Sequence, residues 1–255
     1  MAEGYWVIRT YRSGMVGEKI KYWVPGKKPT KSGRQMKSDV KKQQSNEASA
    51  EKRVARLIHE NFTPFDFMLT LSYTDDGLKK TVAEIDATDP DQVYHAAHHQ
   101  LRLWLRRTLR ACKSEGVCLK YIAITSDMDG KTGEAVRVHH HVIINGAAAK
   151  IAIGKWTMGA AHHVHLYDVV DQTALAEYML RQARRLPDEK KYIPSRNLTV
   201  PQPKDRIAPG GAELNVPRGG QLLHRSEYSP GMPQYIRYIL PEVGKIRKER
   251  AVKRE

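Results

Sequence analysis

The chain has 255 residues, enough to bury a core of its own, and corresponds to one domain or slightly more. Lysine and arginine outnumber aspartate and glutamate by 43 to 28, so the formal charge is +15 and nucleic acid is the first expected partner. No apolar run approaches about 18 residues and no signal peptide begins the chain, so we expect no membrane association. The two cysteines, Cys112 and Cys118, form no CxxC pair, which favours a reduced, cytoplasmic compartment.

The N-terminal 60 residues are predicted to form a basic arm followed by a helix. Two strand-like runs, 5–11 and 21–24, have the spacing of a hairpin. The stretch 27–42 is rich in lysine, serine and glycine, and we expect it to become ordered when it binds an anion. Residues 46–61 carry apolar side chains at helical spacing, with basic residues on the other side.

A run of strands and helices follows. Residues 65–73 are predicted to form the first core strand, 91–112 a helix and 118–126 a second strand. Within that helix His95 and His99 have i, i+4 spacing, but no acidic residue accompanies them, so we interpret them as surface or capping histidines. The outer side of the same helix is basic, with Arg102, Arg106, Arg107 and Arg110.

The most informative segment is 136–146 (VRVHHHVIING), which has the β-branched composition and closing glycine of a strand. Because side chains alternate along a strand, His139 and His141 share one face, and His140 lies on the other with three apolar neighbours. Two imidazoles about 6.5 to 7 Å apart along the strand can converge on one metal ion. A second pair, His163 and His165, lies in the predicted strand 162–167 and competes for this role.

An amphipathic helix is predicted over 171–185, beginning at the N-cap residue Asp171. It presents Tyr178 and, one turn on, Arg181. A phenol has a reference pKa near 10, so it is a weak nucleophile unless nearby positive charge stabilises the phenolate or the charge that develops at phosphorus. A divalent ion held by two histidines and an oxygen ligand, together with Arg181, supplies such charge.

The strand and helix order β, α, β, β, β, α predicts an α+β fold, an antiparallel sheet with flanking helices of the ferredoxin-like kind. We divide the chain into an N-terminal part, 1–60, a central domain, 61–190, and a loop-rich basic extension, 191–255. In that extension 235–239 is the one short strand expected, and 245–255 is either a phosphate-binding tail or a solvated helix.

Three segments carry a family likeness when taken together: the strand 67–73, the motif RVHHHVI at 137–143, and YMLRQ at 178–182. They resemble the rolling-circle replication initiators of the HUH endonuclease superfamily, and within it the proteins of bacterial phages, plasmids and integrated elements. The resemblance spans 65–198 in order. The family places a histidine, a bulky residue and a second histidine on a strand, then one or two tyrosines on a downstream helix.

The resemblance implies that His139 and His141 bind a divalent metal, Mg²⁺ or Mn²⁺, and that Tyr178 is the nucleophile. Tyr178 would nick single-stranded DNA at a replication origin, keep the 5′ phosphate as a phosphotyrosine and free a 3′ hydroxyl. A host polymerase and helicase are the further partners it suggests. Arg181 stands where the family commonly has lysine. The arginines expected to contact DNA are Arg137, Arg185 and Arg196.

The third metal ligand is less well defined. The family often has an acidic residue on the neighbouring strand, but Ser126 stands near that place, so Asp127 is the expected substitute, with Asp129 or Glu134 as alternatives. Two further functions stay open. One is a basic DNA-binding protein whose histidines are structural, with a steep salt dependence and no response to chelator. The other is a relaxase or transposase using the same site.

Overall fold

A computed structural model describes residues 3–26, 45–167, 169–184, 191–227, 229 and 231–241, without the side chains of 45–49. These residues fold into two compact units. One is built from the described parts of Met1–Ser49 and Val200–Glu255, and the other is Ala50–Thr199. No helix in the described ranges is both long enough and apolar enough to cross a bilayer.

The first unit is a five-stranded antiparallel sheet assembled from both ends of the chain. Its strands are β1 (Gly4–Ser13), β2 (Val16–Pro25), β8 (Lys204–Ala208), β9 (Gln221–Arg225) and β10 (Gln234–Ile239), in the order β8-β1-β2-β10-β9. The turn between β1 and β2 contains Gly14 at a φ of 53°, a backbone conformation that glycine adopts without steric cost. Ile8, Leu214 and Ile236 are buried at its core.

The second unit contains a five-stranded antiparallel sheet and five helices. Its sheet has the order β6-β3-β5-β4-β7. In chain order the elements are α1 (Ser45–Asn61), β3 (Phe67–Ser72), α2 (Asp75–Thr81), α3 (Pro90–Ser114), β4 (Tyr121–Met128), β5 (Ala135–Ile144), α4 (Gly146–Gly154), β6 (Ala161–His165), α5 (Thr173–Gln182) and β7 (Ile193–Pro194).

Helices cover both faces of this sheet. On one face α3 and α4 pack on alternate strand residues such as Leu71 and Val142, and together they bury Trp104. On the other face α1 and α5 pack on Ile124 and Ile143, the residues that alternate with the first set. Because both faces are buried, the central strand β5 is apolar on both sides, and its polar residues stand out as exceptions.

The longest helix, α3, begins where the sequence has a strong start signal. Asp89 caps it by accepting hydrogen bonds from the backbone N–H groups of Asp91 and Gln92, and Pro90 occupies the first turn, where a missing N–H costs nothing. Helix α5 ends at Gln182, because the next residue, Ala183, has extended backbone and pairs with Ser126 as a β-bridge. This end brings the C-terminal turn of α5 to strand β4.

The predicted α+β class, with antiparallel sheet and flanking helices, is confirmed. Two features differ from the sequence prediction. Residues 146–159, for which the sequence analysis predicted no helix or strand, contain helix α4, whose alanines pack on α3. The parts 1–60 and 191–255, treated as separate extensions, contribute strands to one shared sheet, because β8 pairs with β1 and β10 with β2.

Candidate active site

The two histidines singled out by the sequence lie in the middle of the second sheet, on β5. That strand pairs with β3 on one side and β4 on the other. The register places His141 between Thr70 and Ile124, and His139 between Ser72 and Ser126. Residues that pair directly across antiparallel strands share a face, so both histidines lie on the face covered by α1 and α5.

The rings of His139 and His141 point toward each other. Their Nε2 atoms are 3.1 Å apart, and the ring planes are almost perpendicular, at 87°. The opposite nitrogens are already engaged: Nδ1 of His139 lies 3.0 Å from the carbonyl oxygen of Arg137, and Nδ1 of His141 lies 3.3 Å from the Thr70 hydroxyl. A carbonyl only accepts, so Nδ1 of His139 carries a proton, and in the neutral form of the ring Nε2 has the lone pair.

This geometry fits a divalent ion. Metal–nitrogen bonds of about 2.1 Å at right angles put two ligand atoms about 3.0 Å apart, close to the observed separation of the two Nε2 atoms. A hydrogen-bonded Nδ1 is also the usual outer support of a metal-binding imidazole, because it sets the tautomer and the ring orientation. His139 and His141 therefore have the donor atoms and the orientation that a metal pair requires.

His141 is also held in the neutral form that binds metals. Burial, together with the smaller effect of the neighbouring His139, lowers its pKa to about 4, against a hydrogen bond with Gln182 that acts in the opposite direction. At neutral pH the ring is therefore uncharged, which is the form of histidine that binds metal ions.

Tyr178 lies beside this pair. Its ring centroid is 5.7 Å from that of His141, with the planes at 60°, and the residue is 36% exposed. The β4–β5 turn contacts Tyr178 and Gln182 at Gly130, where a β-carbon would come within 2.8 Å of the Tyr178 ring and of the Gln182 side chain. Helix α5 and the glycine turn thus fix the phenol next to the histidines while leaving it open to a large substrate.

Gln182 is the site residue that the sequence prediction did not select. It is buried, its amide nitrogen donates to the carbonyl oxygen of Tyr178 at 3.1 Å, and its side chain hydrogen-bonds with His141. An amide oxygen is a suitable ligand for Mg²⁺ or Mn²⁺. The signal in the sequence is its i, i+4 spacing from Tyr178, which puts both side chains on one face of α5.

Asp127, the expected third ligand, has another partner. Its carboxylate forms a two-pronged ion pair with Arg184, with Nε to Oδ1 at 2.9 Å and a second contact from Nη2 to Oδ2. Arg184 also binds Asp91 and lies over the ring of Tyr94, so this cluster is anchored on α3. To bind the ion between the histidines, Asp127 would have to leave a charge-assisted pair.

The two alternatives have no closer connection with the histidines. The carboxylate of Asp129 accepts hydrogen bonds from the backbone N–H groups of Lys131 and Thr132, which closes the β4–β5 turn and lowers its pKa. Glu134 is exposed after the same turn. Within the described ranges, no three side chains of histidine, cysteine, aspartate or glutamate are gathered closely enough to hold a metal ion. The amide of Gln182, which hydrogen-bonds with His141, offers an oxygen donor beside it.

The competing pair, His163 and His165, lies on the opposite face of the sheet. On the edge strand β6 they pair with Leu69 and Phe67, residues of the core under α3 and α4. Both rings pack around Phe67, at centroid distances of 5.6 and 4.1 Å. The two histidine pairs therefore cannot share one ion, and Tyr178 lies beside the pair on β5.

His140, between the two candidate ligands, belongs to a buried hydrogen-bonded chain on the α3 face. Nε of Arg102 donates to Nε2 of His98, so His98 must donate from Nδ1 to the hydroxyl of Thr125. That hydroxyl lies 3.1 Å from Nδ1 of His140, and Nε2 of His140 lies 2.9 Å from the hydroxyl oxygen of Tyr73. Burial keeps the pKa of His140 well below its usual value, so the chain is satisfied by neutral rings.

The predicted catalytic Arg181 and the arginines predicted to contact DNA have different surroundings. Arg181 is exposed, and so is Arg196. Arg137 is also exposed but forms an ion pair with Asp75 at 2.5 Å, so its charge is partly neutralised. Arg185 lies outside the described residues. Arg181 and Arg196 are therefore open to a phosphate, whereas Arg137 would share its charge with Asp75.

The site combines two facing imidazoles, an amide and an accessible phenol. Such a set can bind a cation and place a nucleophile within the field of that cation. No protein-family model, curated protein or solved structure matches this chain.

Proposed function

We propose that this protein is a metal-dependent, single-strand DNA endonuclease and strand transferase that forms a 5′-phosphotyrosine link. The observation that carries the proposal is the placement of the Tyr178 ring 5.7 Å from His141, whose Nε2 faces that of His139 at 3.1 Å. A metal pair alone is compatible with many functions. An exposed phenol beside it favours transfer of a phosphoryl group to tyrosine.

In the proposed reaction the Tyr178 oxygen forms a bond to a backbone phosphorus, and the bond from that phosphorus to the 3′ oxygen breaks. The phenol proton leaves to solvent, to which Tyr178 is open, and the departing strand gains a 3′ hydroxyl. The phosphotyrosine ester conserves the bond energy, so the 3′ hydroxyl of a strand can reverse the step and rejoin DNA. When bound, Mg²⁺ or Mn²⁺ would polarise the scissile phosphate.

The side chains of the chain itself have distinct roles. His139 and His141 would hold the ion through Nε2, while the Arg137 carbonyl and the Thr70 hydroxyl contact their Nδ1 atoms and orient the rings. Gln182 would supply an oxygen donor and also restrains α5 next to Tyr178. Arg181, exposed one turn beyond Tyr178, would contribute charge near the phosphate.

The biological setting that we propose is the start of rolling-circle replication at an origin, with the second unit as an HUH endonuclease domain in the cytoplasm. Host polymerase and helicase would act on the freed 3′ end. The formal charge of +15 supports a DNA substrate. Helix α5 carries one tyrosine, so a second strand transfer would use another nucleophile or a second copy of the protein.

The test is a denaturing gel of the protein with overlapping single-stranded oligonucleotides that cover the DNA flanking its own gene, in Mn²⁺. We expect a DNA-linked protein band that survives SDS and is absent in EDTA and in Tyr178→Phe. Tyr167→Phe is the matched control, because Tyr167 is an exposed tyrosine, at 73%, outside the site. This control should form the adduct like the wild type.

Each alternative result is informative. If DNA binds equally in EDTA and no oligonucleotide forms an adduct, the catalytic proposal fails and a non-catalytic DNA-binding protein is favoured. If the adduct survives Tyr178→Phe, tyrosine chemistry is retained but Tyr178 is not the nucleophile.

A further inference from the structure

A second basic feature lies away from the histidines, where the C-terminal half of α3 meets the end of α4. It is a shallow concavity of about 390 Å³, lined by Arg107, Arg110, Ala111, Ser114 and Lys155. The four α3 residues follow i, i+3, i+4, i+7 spacing and so form one stripe. Lys155 caps the C-terminus of α4. We call this feature the α3–α4 concavity.

The α3–α4 concavity carries three cationic side chains and no acidic one. Two other arginines of this unit are paired with carboxylates: Arg184 binds Asp127 and Asp91, and Arg137 binds Asp75. In the part of the chain that the structure describes, Nη2 of Arg107 is buried and has no hydrogen-bond partner. A buried guanidinium N–H without an acceptor is unfavourable, so the described part of the chain provides no interaction that offsets the burial of this nitrogen.

Helix electrostatics explain part of this arrangement but not all of it. Cations near helix C-termini are favourable, and both α3 and α4 end here, so Lys155 and Arg110 have a structural reason to be present. That effect requires no burial. It does not account for the unpaired, buried nitrogen of Arg107, nor for the small residues Ala111 and Ser114, which leave open space between the cations.

The α3–α4 concavity is on the opposite side of the sheet from the nicking site. Helix α3 packs through Leu101 and Trp104 on the face that carries Leu71 and Val142, whereas His139 and His141 are on the other face. A ligand bound here therefore does not reach Tyr178. Nucleic acid that occupies it must lie outside the nucleotides around the scissile phosphate.

We propose that the α3–α4 concavity binds backbone phosphates of duplex DNA that flanks the nicked segment. Arginine forks and a lysine are the groups that recognise phosphate. None of the five described lining residues is aromatic, so unstacked bases of a single strand find no ring to stack on. Contacts to phosphates alone would position the protein on DNA without reading sequence. Only the position beside the nicked segment rests on the proposed function; the binding of duplex DNA does not depend on the nicking reaction.

The test compares two triple variants that each remove three positive charges. One is Arg107→Gln/Arg110→Gln/Lys155→Gln, and the matched control is Arg106→Gln/Lys113→Gln/Lys150→Gln, three exposed cations that do not line the concavity. Binding to a duplex and to a single strand of equal length is measured in EDTA by fluorescence anisotropy at several salt concentrations. EDTA excludes the metal-dependent reaction, so the result does not depend on whether Tyr178 nicks DNA.

For the concavity variant, we plot the logarithm of the association constant for duplex DNA against the logarithm of the salt concentration. The slope should become shallower by about 2 to 3, because two or three phosphate contacts are lost. The control should change it by less than about 1. A melting temperature at or above that of the wild type would exclude misfolding, since the variant removes an unpaired buried nitrogen. Equal slope changes in the two triples, or a loss restricted to the single strand, would overturn the proposal.

Discussion

The rings of His141 and Tyr178 lie 5.7 Å apart although one belongs to the central strand β5 and the other to helix α5. The contact is set by two separate packing relationships. His141 is fixed by strand pairing between Thr70 and Ile124, and α5 is fixed by Met179 and Leu180 in the core on the same face. Metal binding and covalent chemistry should therefore be separable by mutation.

The first prediction concerns the ion. His141→Ala should weaken Mn²⁺ binding by at least about 10- to 100-fold, because it removes one of two facing Nε2 donors. Isothermal titration calorimetry without DNA measures this directly. His163→Ala, which changes an exposed histidine on the other face of the sheet, is the control and should bind Mn²⁺ like the wild type. If His163→Ala lost Mn²⁺ binding and His141→Ala kept it, the metal would be assigned to β6.

A second prediction concerns the oxygen donor. If Gln182 contributes its amide oxygen to the ion, Gln182→Glu should bind Mn²⁺ more tightly, because it adds a negative charge at nearly the same position. Gln182→Leu should bind more weakly, since it keeps the size but offers no donor atom. Both variants are compared by calorimetry at neutral pH. Unchanged affinity in both would mean that Gln182 only positions His141 and α5.

The turn above the site gives a third prediction. A β-carbon at Gly130 would lie 2.8 Å from the Tyr178 ring and 2.9 Å from Nε2 of Gln182, so these side chains must move in Gly130→Ala. A displacement of about 1 Å can reduce a rate about 100-fold, so adduct formation should slow by about 10- to 100-fold with little effect on folding. Single-turnover adduct kinetics in Mn²⁺ measure this rate.

Gly154→Ala is the matched control for that substitution. Gly154 ends α4, and no atom lies within 4 Å of the position its β-carbon would take. Its adduct rate should equal that of the wild type. A similar slowing in both variants would show that the loss comes from the backbone change rather than from contact with Tyr178.

Local patterns predicted the part of the site that depends on alternation and helical spacing. The side of β5 that His139 and His141 share follows from the period of two, and Tyr178 follows from an amphipathic run. The pairing of Asp127 with Arg184 was not predictable, because it depends on where α5 ends against β4. The shared sheet of the first unit was not predictable either, since β1 and β8 are distant in sequence and β8 is exposed along most of its length.

The last prediction concerns the buried hydrogen-bonded side chains on the sheet face opposite His139 and His141. Thr125→Val keeps the shape of the side chain but removes the hydroxyl that joins His98 and His140, each at 3.1 Å. The two imidazoles then lose partners in a buried site, so the free energy of unfolding should fall by about 1–3 kcal/mol. Urea denaturation in EDTA measures the change without any contribution from a bound metal.

Thr108→Val is the matched control for this buried threonine. Thr108 is fully buried on α3, and within the described residues its hydroxyl has no hydrogen-bond partner. Replacing an unsatisfied hydroxyl with a methyl group removes a desolvation cost, so stability should stay equal or rise. An equal loss of stability in the two variants would mean that the loss comes from packing valine in place of threonine, rather than from breaking the hydrogen bonds through Thr125. A loss in Thr125→Val alone would assign that cost to the chain that supports the strand between His139 and His141.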